Sequence, residues 1–256
     1  MREHEKLFGN YSENMDFFKH SILINFDVLK ATHPHYKTII ETYPEISHQI
    51  LVEYGTNMER RLVDYLIEHN YAAVYEGTLR AVKGYADMAE KFKRRGYSIE
   101  LDVMAVPYLK SLSSTYTRYA MALQNNEKPR WVEKFAHDGS FDGVTNTTKL
   151  LLEQKLIDNV GVFVRTPEMP KQIYGVANES EFDTPIAAIE FGREVGRKEA
   201  LNDFPTEHEM VISVLKYRQP ELISALASWE DEYEKERQYF EGLGVSTPTT
   251  IQEERD

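Results

Sequence analysis

Apolar positions along the chain fall into two spacings. Ile22-Leu23-Ile24-Asn25-Phe26, Tyr71-Ala72-Ala73-Val74-Tyr75, Ile99 to Val106 and Val160-Gly161-Val162-Phe163-Val164 are short, nearly continuous apolar runs. Such runs are the mark of strands buried on both faces, as in a parallel sheet. Between the first two, Ile46, Ile50, Leu51, Tyr54, Met58, Leu62, Tyr65 and Leu66 recur at three- and four-residue intervals. That spacing predicts an amphipathic helix over 45–69, with Asn70 as its stop. Further helices are predicted over 83–95, capped by Gly96, over 109–123 and over 149–157.

Punctuation sets the rest. Thr32-His33-Pro34 breaks the chain after the first strand, because proline drives its predecessor out of the helical region. Asn125 to Arg130 reads as a loop, followed by a polar stretch through Thr148, and from Phe182 onward the chain is mostly helical and acidic. Residues 1–20 read as a polar segment of helical character, and 245–256, with Thr-Pro-Thr-Thr and Glu-Glu-Arg-Asp, as a disordered tail. Strands alternating with helices predict an α/β fold with a largely parallel sheet and a helical C-terminal extension. No internal repeat is present.

Composition narrows the function classes. The 256 residues carry 42 acidic and 30 basic side chains, a formal net charge of −12. That balance argues against a general nucleic-acid binder, whose affinity rests on clustered Lys and Arg. No apolar run approaches the roughly 20 residues that span a bilayer, and Met1 to Lys6 has no signal-peptide character, so a cytoplasmic protein is expected. The absence of cysteine removes disulfides, thiolate metal sites and cysteine nucleophiles together. The 16 tyrosines fall at core-like spacings and call for no ligand.

Ligands of open α/β sheets bind beyond the carboxyl ends of the strands, and that rule selects a few residues. Asp27 closes the first strand, and Glu76, Thr78 and Arg80 follow the second. Asp27 reads equally as a helix cap and as a general base toward a hydroxyl. Glu76-Gly77-Thr78-Leu79-Arg80 offers an acceptor, a hydroxyl and a cation around a glycine, or else an ordinary turn with a solvated ion pair. Arg118 in mid-helix and Arg130 in a loop beside Trp131 have surface charges as their ordinary explanation. His33 and His35 lack partners at metal-ligand spacing, and no Gly-x-Ser-x-Gly elbow occurs, so no metal site is expected.

Taken in order, these residues resemble the zeta toxin family, the kinases of toxin–antitoxin pairs that phosphorylate UDP-N-acetylglucosamine. The resemblance runs through Ile24-Asn25-Phe26-Asp27-Val28-Leu29-Lys30, His33-Pro34-His35-Tyr36, Val74-Tyr75-Glu76-Gly77-Thr78-Leu79-Arg80, Val103-Met104-Ala105-Val106-Pro107, Arg118-Tyr119, Arg130 and Ala136-His137-Asp138. It implies a P-loop-kinase-like parallel sheet flanked by helices, with a kinase domain over 21–165 between an N-terminal segment (1–20), a helical accessory region (166–244) and the tail (245–256). Asp27 then matches the catalytic base that takes the proton of the sugar 3′-hydroxyl. Glu76, Thr78 and Arg80 match the motif holding the nucleotide sugar, and Glu59 is the nearest match to a further acidic substrate contact. Arg118 and Arg130 match two arginines that reach the transferring phosphate. ATP and Mg2+ are the implied cofactors, and an antitoxin protein the implied partner.

One departure is large. Kinases of this kind use a Gly-x-x-x-x-Gly-Lys-[Ser/Thr] loop whose amides cradle phosphates, and none of the 13 glycines here is followed by lysine. In the family this loop precedes the Asp27 strand and follows a first sheet strand, and both are missing from the pattern. The expectation is a truncated or inactive nucleotide-sugar kinase. The alternative is a non-catalytic remnant that binds a nucleotide sugar or a protein, and a third reading is an unrelated helical interaction module.

Overall fold

The computed structural model describes residues 20–43, 46–127, 129–166, 170–175 and 181–247. The expectations for residues 1–19 and for the tail from 248 lie outside the described residues. The chain divides into two compact units: residues up to Leu79 with Asp87–Ser98, and Arg80–Ala86 with Ile99 onward.

In the first unit, strand β1 (Ile22–Asn25) runs into helices α1 (Phe26–Ala31), α2 (Tyr36–Thr42) and α3 (Ser47–His69), and strand β2 (Ala73–Glu76) follows. β1 and β2 are parallel, in the register Ile22↔Ala73 to Asn25↔Glu76. The long α3 supplies the crossover that a parallel pair requires. Its apolar stripe buries Val63, Leu66 and Ile67 against Ile24 of β1, with Met88 and Phe92 of helix α4 (Val82–Arg94) packed on the same cluster. Asn70 ends α3 in the left-handed conformation (φ 56°), which asparagine tolerates better than most residues. Gly55 lets α1 approach closely, because a Cβ there would lie 2.8 Å from Lys30 Cγ and 2.9 Å from the Phe26 ring.

Two local readings change. The first strand ends at Asn25, so Asp27 stands in the first turn of α1 and does not close the strand. Tyr36–Thr42, left without an element by the sequence pattern, is a helix with no buried residue.

The second unit holds strand β3 (Glu100–Ala105), helices α5 (Tyr108–Gln124) and α6 (Lys134–Glu153), strands β4 (Asn159–Val164) and β5 (Lys171–Tyr174), helix α7 (Pro185–Glu194), helix α8 (Arg197–Arg218), a 3₁₀ segment (Pro220–Leu226) and helix α9 (Ala227–Gly242). β3 pairs parallel with β4, and β5 adds an antiparallel edge. The stretch read as polar through Thr148 belongs to α6, and the chain beyond Glu153 leaves the helix where the pattern had continued it to 157. α7 reaches the sheet through Gly192, where a Cβ would meet Ala105 Cβ at 2.6 Å and Val164 Cγ1 at 2.9 Å.

The large core of this unit lies among α5, α8 and α9. Trp229 is fully buried, packs edge-on to Phe204 at 4.8 Å, and donates its indole N–H to Ser113 Oγ at 2.9 Å. Phe204 also stacks on Tyr233 at 4.1 Å. Of the tyrosines, Tyr116, Tyr119 and Tyr233 are buried, whereas Tyr65, Tyr71, Tyr217 and Tyr239 are exposed, so the core-like spacing overstated their burial. Truncating a buried tryptophan costs about 3–5 kcal/mol. Trp229→Ala should lower the stability of the second unit by that amount, read by urea titration. A loss below about 1 kcal/mol would show that this core relaxes freely around the site.

Candidate functional site

At the carboxyl ends of β1 and β2 one residue organises the site. Asn25 stands opposite Glu76 in the parallel register and donates its side-chain amide to Glu76 Oε2 at 2.8 Å. The other end of the same side chain caps α1, its Oδ1 accepting from the backbone N–H of Asp27 at 3.0 Å and of Val28 at 3.1 Å. Asparagine is a favoured N-cap because its short acceptor reaches these otherwise unpaired donors. Asn25 therefore fixes the Glu76 carboxylate and the turn that carries Asp27. The signal for it in sequence was an asparagine at the end of an apolar run, just before a helix.

Asp27 is half-exposed and forms an i,i+3 ion pair with Lys30 at 2.7 Å. Lys30 is mostly buried, over the ring of Phe26 and 3.1 Å from His48 Nδ1. A negative group in the first turn also suits the positive end of a helix. Glu59, half-buried on α3, accepts the hydroxyl of Tyr75, the β2 residue before Glu76. Thr78 is exposed just past β2 and makes no side-chain hydrogen bond among the described residues. Asp27, Glu59, Glu76 and Thr78 all belong to the first unit, and the unit boundary falls between Leu79 and Arg80.

In the second unit Arg80 lies along α6, with Nε 3.1 Å from the position of a Cβ on Gly139 and its guanidinium 5.6 Å from the Phe135 ring. Arg118 is exposed on α5 and donates from Nε to the carbonyl of Ser114 at 3.1 Å. Arg130 is exposed beside Trp131. Trp131 packs edge-on against Tyr119 at 5.0 Å and against Tyr116 at 5.2 Å. That contact ties the segment bearing Arg130 to the helix bearing Arg118. A further cation not singled out from the sequence, Arg165, follows β4 and reaches Ser114 Oγ at 3.4 Å.

The His137-Asp138 pair of the resemblance sits in a knot on α6. Lys134 donates to Asp138 Oδ2 and to Tyr108 Oη, each at 2.8 Å, and Tyr108 donates to Asp138 Oδ1. Burial of Asp138 opposes its ionisation, but the bonds from Lys134, Tyr108 and His137 outweigh it and hold the carboxyl below the usual range. Burial pushes His137 the other way, toward the neutral imidazole.

Among the described residues no group of three or more His, Asp or Glu could hold a metal ion, and no helix is long and apolar enough to cross a membrane. The parallel β-α-β organisation with polar residues past the strand ends is that of a P-loop-kinase-like α/β protein, and comparison with known proteins agrees. A solved structure from the PezAT chromosomal toxin–antitoxin system of Streptococcus pneumoniae matches with a TM-score of 0.64 at 20% identity, covering 84% of each chain. The Zeta toxin family model matches residues 9–176, and the chain belongs to that family.

Among curated relatives, Toxin PezT of Streptococcus pneumoniae is 26% identical over 151 residues, 59% of this chain and 60% of that protein. Toxin zeta of Enterococcus hirae is 26% identical over 180 residues, 69% of this chain and 60% of that protein. Toxin zeta of Streptococcus pyogenes is 26% identical over 165 residues, 64% of this chain and 55% of that protein. The chain thus spans about 60% of the length of the curated relatives it matches.

Asn25→Asp separates the two bonds of Asn25. The variant keeps the capping oxygen but puts a second carboxylate where Glu76 had a donor. Like charges opposite one another raise the pair's titration in the folded state, so stability should be retained at low pH and lost as pH rises through that range. The expected loss at pH 8 is about 1 kcal/mol, with recovery near pH 4, measured by urea unfolding. A loss independent of pH would mean that the Asn25–Glu76 bond does not bear on the site.

Proposed function

We propose that the chain carries the acceptor side of a zeta-type nucleotide-sugar kinase, recognising UDP-N-acetylglucosamine. The observation that carries this reading is the Asn25 bridge, which fixes Glu76 beside the turn of Asp27 at the carboxyl ends of paired parallel strands. Carboxylates accept the hydroxyl protons of a sugar but repel phosphate. Glu59, Glu76 and Thr78 accordingly hold the sugar hydroxyls, and Asp27 accepts the proton of the 3′-hydroxyl as it becomes a nucleophile. For Arg80, Arg118 and Arg130, which belong to the second unit, the family resemblance alone supplies a phosphate-binding role, and an arginine on a transferring phosphate is worth several orders of magnitude in related reactions. An antitoxin protein is the partner this reading assigns, and the cytoplasm its compartment.

ATP and Mg2+ are the cofactors the family implies, and the donor set does not fit them. The sequence holds no Gly-x-x-x-x-Gly-Lys-[Ser/Thr] loop, so the residues present lack the amide cradle for the phosphates and the loop hydroxyl that would hold the metal. For the polypeptide of these 256 residues, that mismatch favours the second reading, a sugar-binding protein that transfers phosphate poorly.

Two measurements on this 256-residue polypeptide separate these readings. Calorimetric titration should show UDP-N-acetylglucosamine binding at millimolar ligand or below, with ATP weaker. Removing a charge-assisted contact costs on the order of 1.5–3 kcal/mol, so Arg80→Ala and Glu76→Gln should each weaken binding about tenfold or more. No binding by folded wild-type protein would overturn the sugar-site reading. A phosphotransfer assay should give little product, and turnover of roughly 1–100 per second, the usual kinase range, would overturn the assignment of poor transfer.

A further inference from the structure

A recess of about 410 Å³ opens among the helices of the second unit, walled by the rings of Tyr108, Phe141 and Tyr239 and by Arg193 and Arg197. Its volume is within the range of small-molecule sites, and six of its ten lining residues are charged: Arg193, Glu194, Arg197, Glu232, Lys235 and Glu236. It shares no residue with the sugar site proposed above.

The charges around the recess are unequally served. Arg197 is held by Glu236 at 2.5 Å and Glu194 at 2.6 Å. Glu232 receives Lys235 at 2.9 Å and Lys134 at 3.5 Å. Each lining carboxylate therefore already faces a cation, which leaves little attraction for a cationic ligand.

Arg193 differs. It forms no ion pair among the described residues. Its guanidinium lies 3.9 Å from the centroid of the Phe141 ring, and it donates to Thr145 Oγ1 at 2.9 Å and to the Phe141 carbonyl. Burial lowers its proton affinity, and the nearby charges of Asp142 and Glu190 offset only part of that. An arginine carries five N–H donors in one plane, and the bonds to Thr145 and the Phe141 carbonyl use two of them. Planar, bidentate recognition of carboxylate or phosphate is what this group does best.

We propose that this recess binds a small organic anion, a carboxylate or phosphate carried on a flat ring, with Arg193 meeting the charge and Tyr108 and Tyr239 the ring. The test is a heteronuclear NMR titration of the whole chain with phenyl phosphate, beside inorganic phosphate and benzylamine. Phenyl phosphate should shift the Arg193 Nε–Hε and Tyr239 ring signals saturably, and more tightly than inorganic phosphate does. Arg193→Gln should weaken it at least about tenfold. Because Arg193 also links α7 to α6, Tyr239→Leu serves as a second variant that leaves those bonds in place. It removes the contact of the Arg197 guanidinium with the Tyr239 ring at 4.3 Å, so folding is checked by circular dichroism, and it too should weaken binding. The proposal is overturned by absence of saturable shifts in the wild type, by unchanged affinity in either folded variant, by inorganic phosphate binding as tightly, or by benzylamine binding better.

Discussion

The parallel register of β1 on β2 is the constraint on which the candidate site depends. It sets Asn25 opposite Glu76, and a slip of one residue would put the two side chains on opposite faces of the sheet. The register is held from below. Ile24 packs on Val63, Leu66 and Ile67, and α3 can lie against the pair only where Gly55 admits Phe26 and Lys30. The apolar face of one helix thus decides where a polar amide at the sheet's end finds its partner. From there the chemistry follows: a fixed carboxylate, a capped turn, and an aspartate at the start of a helix.

The second unit achieves stiffness by other means. Its sheet is covered by α7 through the close approach at Gly192, and its helices close around Trp229, whose indole N–H finds a hydroxyl inside the core. Arginines stand on this scaffold at α5, beside Trp131 and after β4, each on or next to an element whose position is set by aromatic packing or strand pairing. For the phosphate contacts proposed above, such mounting counts for more than the number of arginines, because phosphoryl transfer is mostly positioning and charge stabilisation.

Most strands and long helices could be read from spacing alone, because burial imposes a period that few other forces produce. The failures have physical causes. Phe26 looked like part of the strand, since it extends an apolar run, yet Asn25 at the strand's last position caps α1 and Phe26 opens the helix. Up to Thr148, α6 buries His137, Gly143, Thr147 and Thr148, so that stretch carries no apolar stripe and reads as loop. β5 has four residues of mixed polarity at a sheet edge, where one partner strand suffices. Asp27, Glu76, Arg80, Arg118 and Arg130 could be named because strand ends and family order mark them. Arg165 and the Tyr75–Glu59 bond were not, because both depend on contacts made across the fold.

The proposed function requires that the Asn25–Glu76 end of the first sheet receive a nucleotide sugar. Carboxyl-carbon NMR of the chain labelled in Asp and Glu, titrated with UDP-N-acetylglucosamine, tests this directly. The signals of Glu76 and Asp27 should move together and saturably, while those of Glu232 and Glu236 in the second unit stay in place. Saturable shifts confined to the second unit, or none anywhere in folded protein, would contradict it.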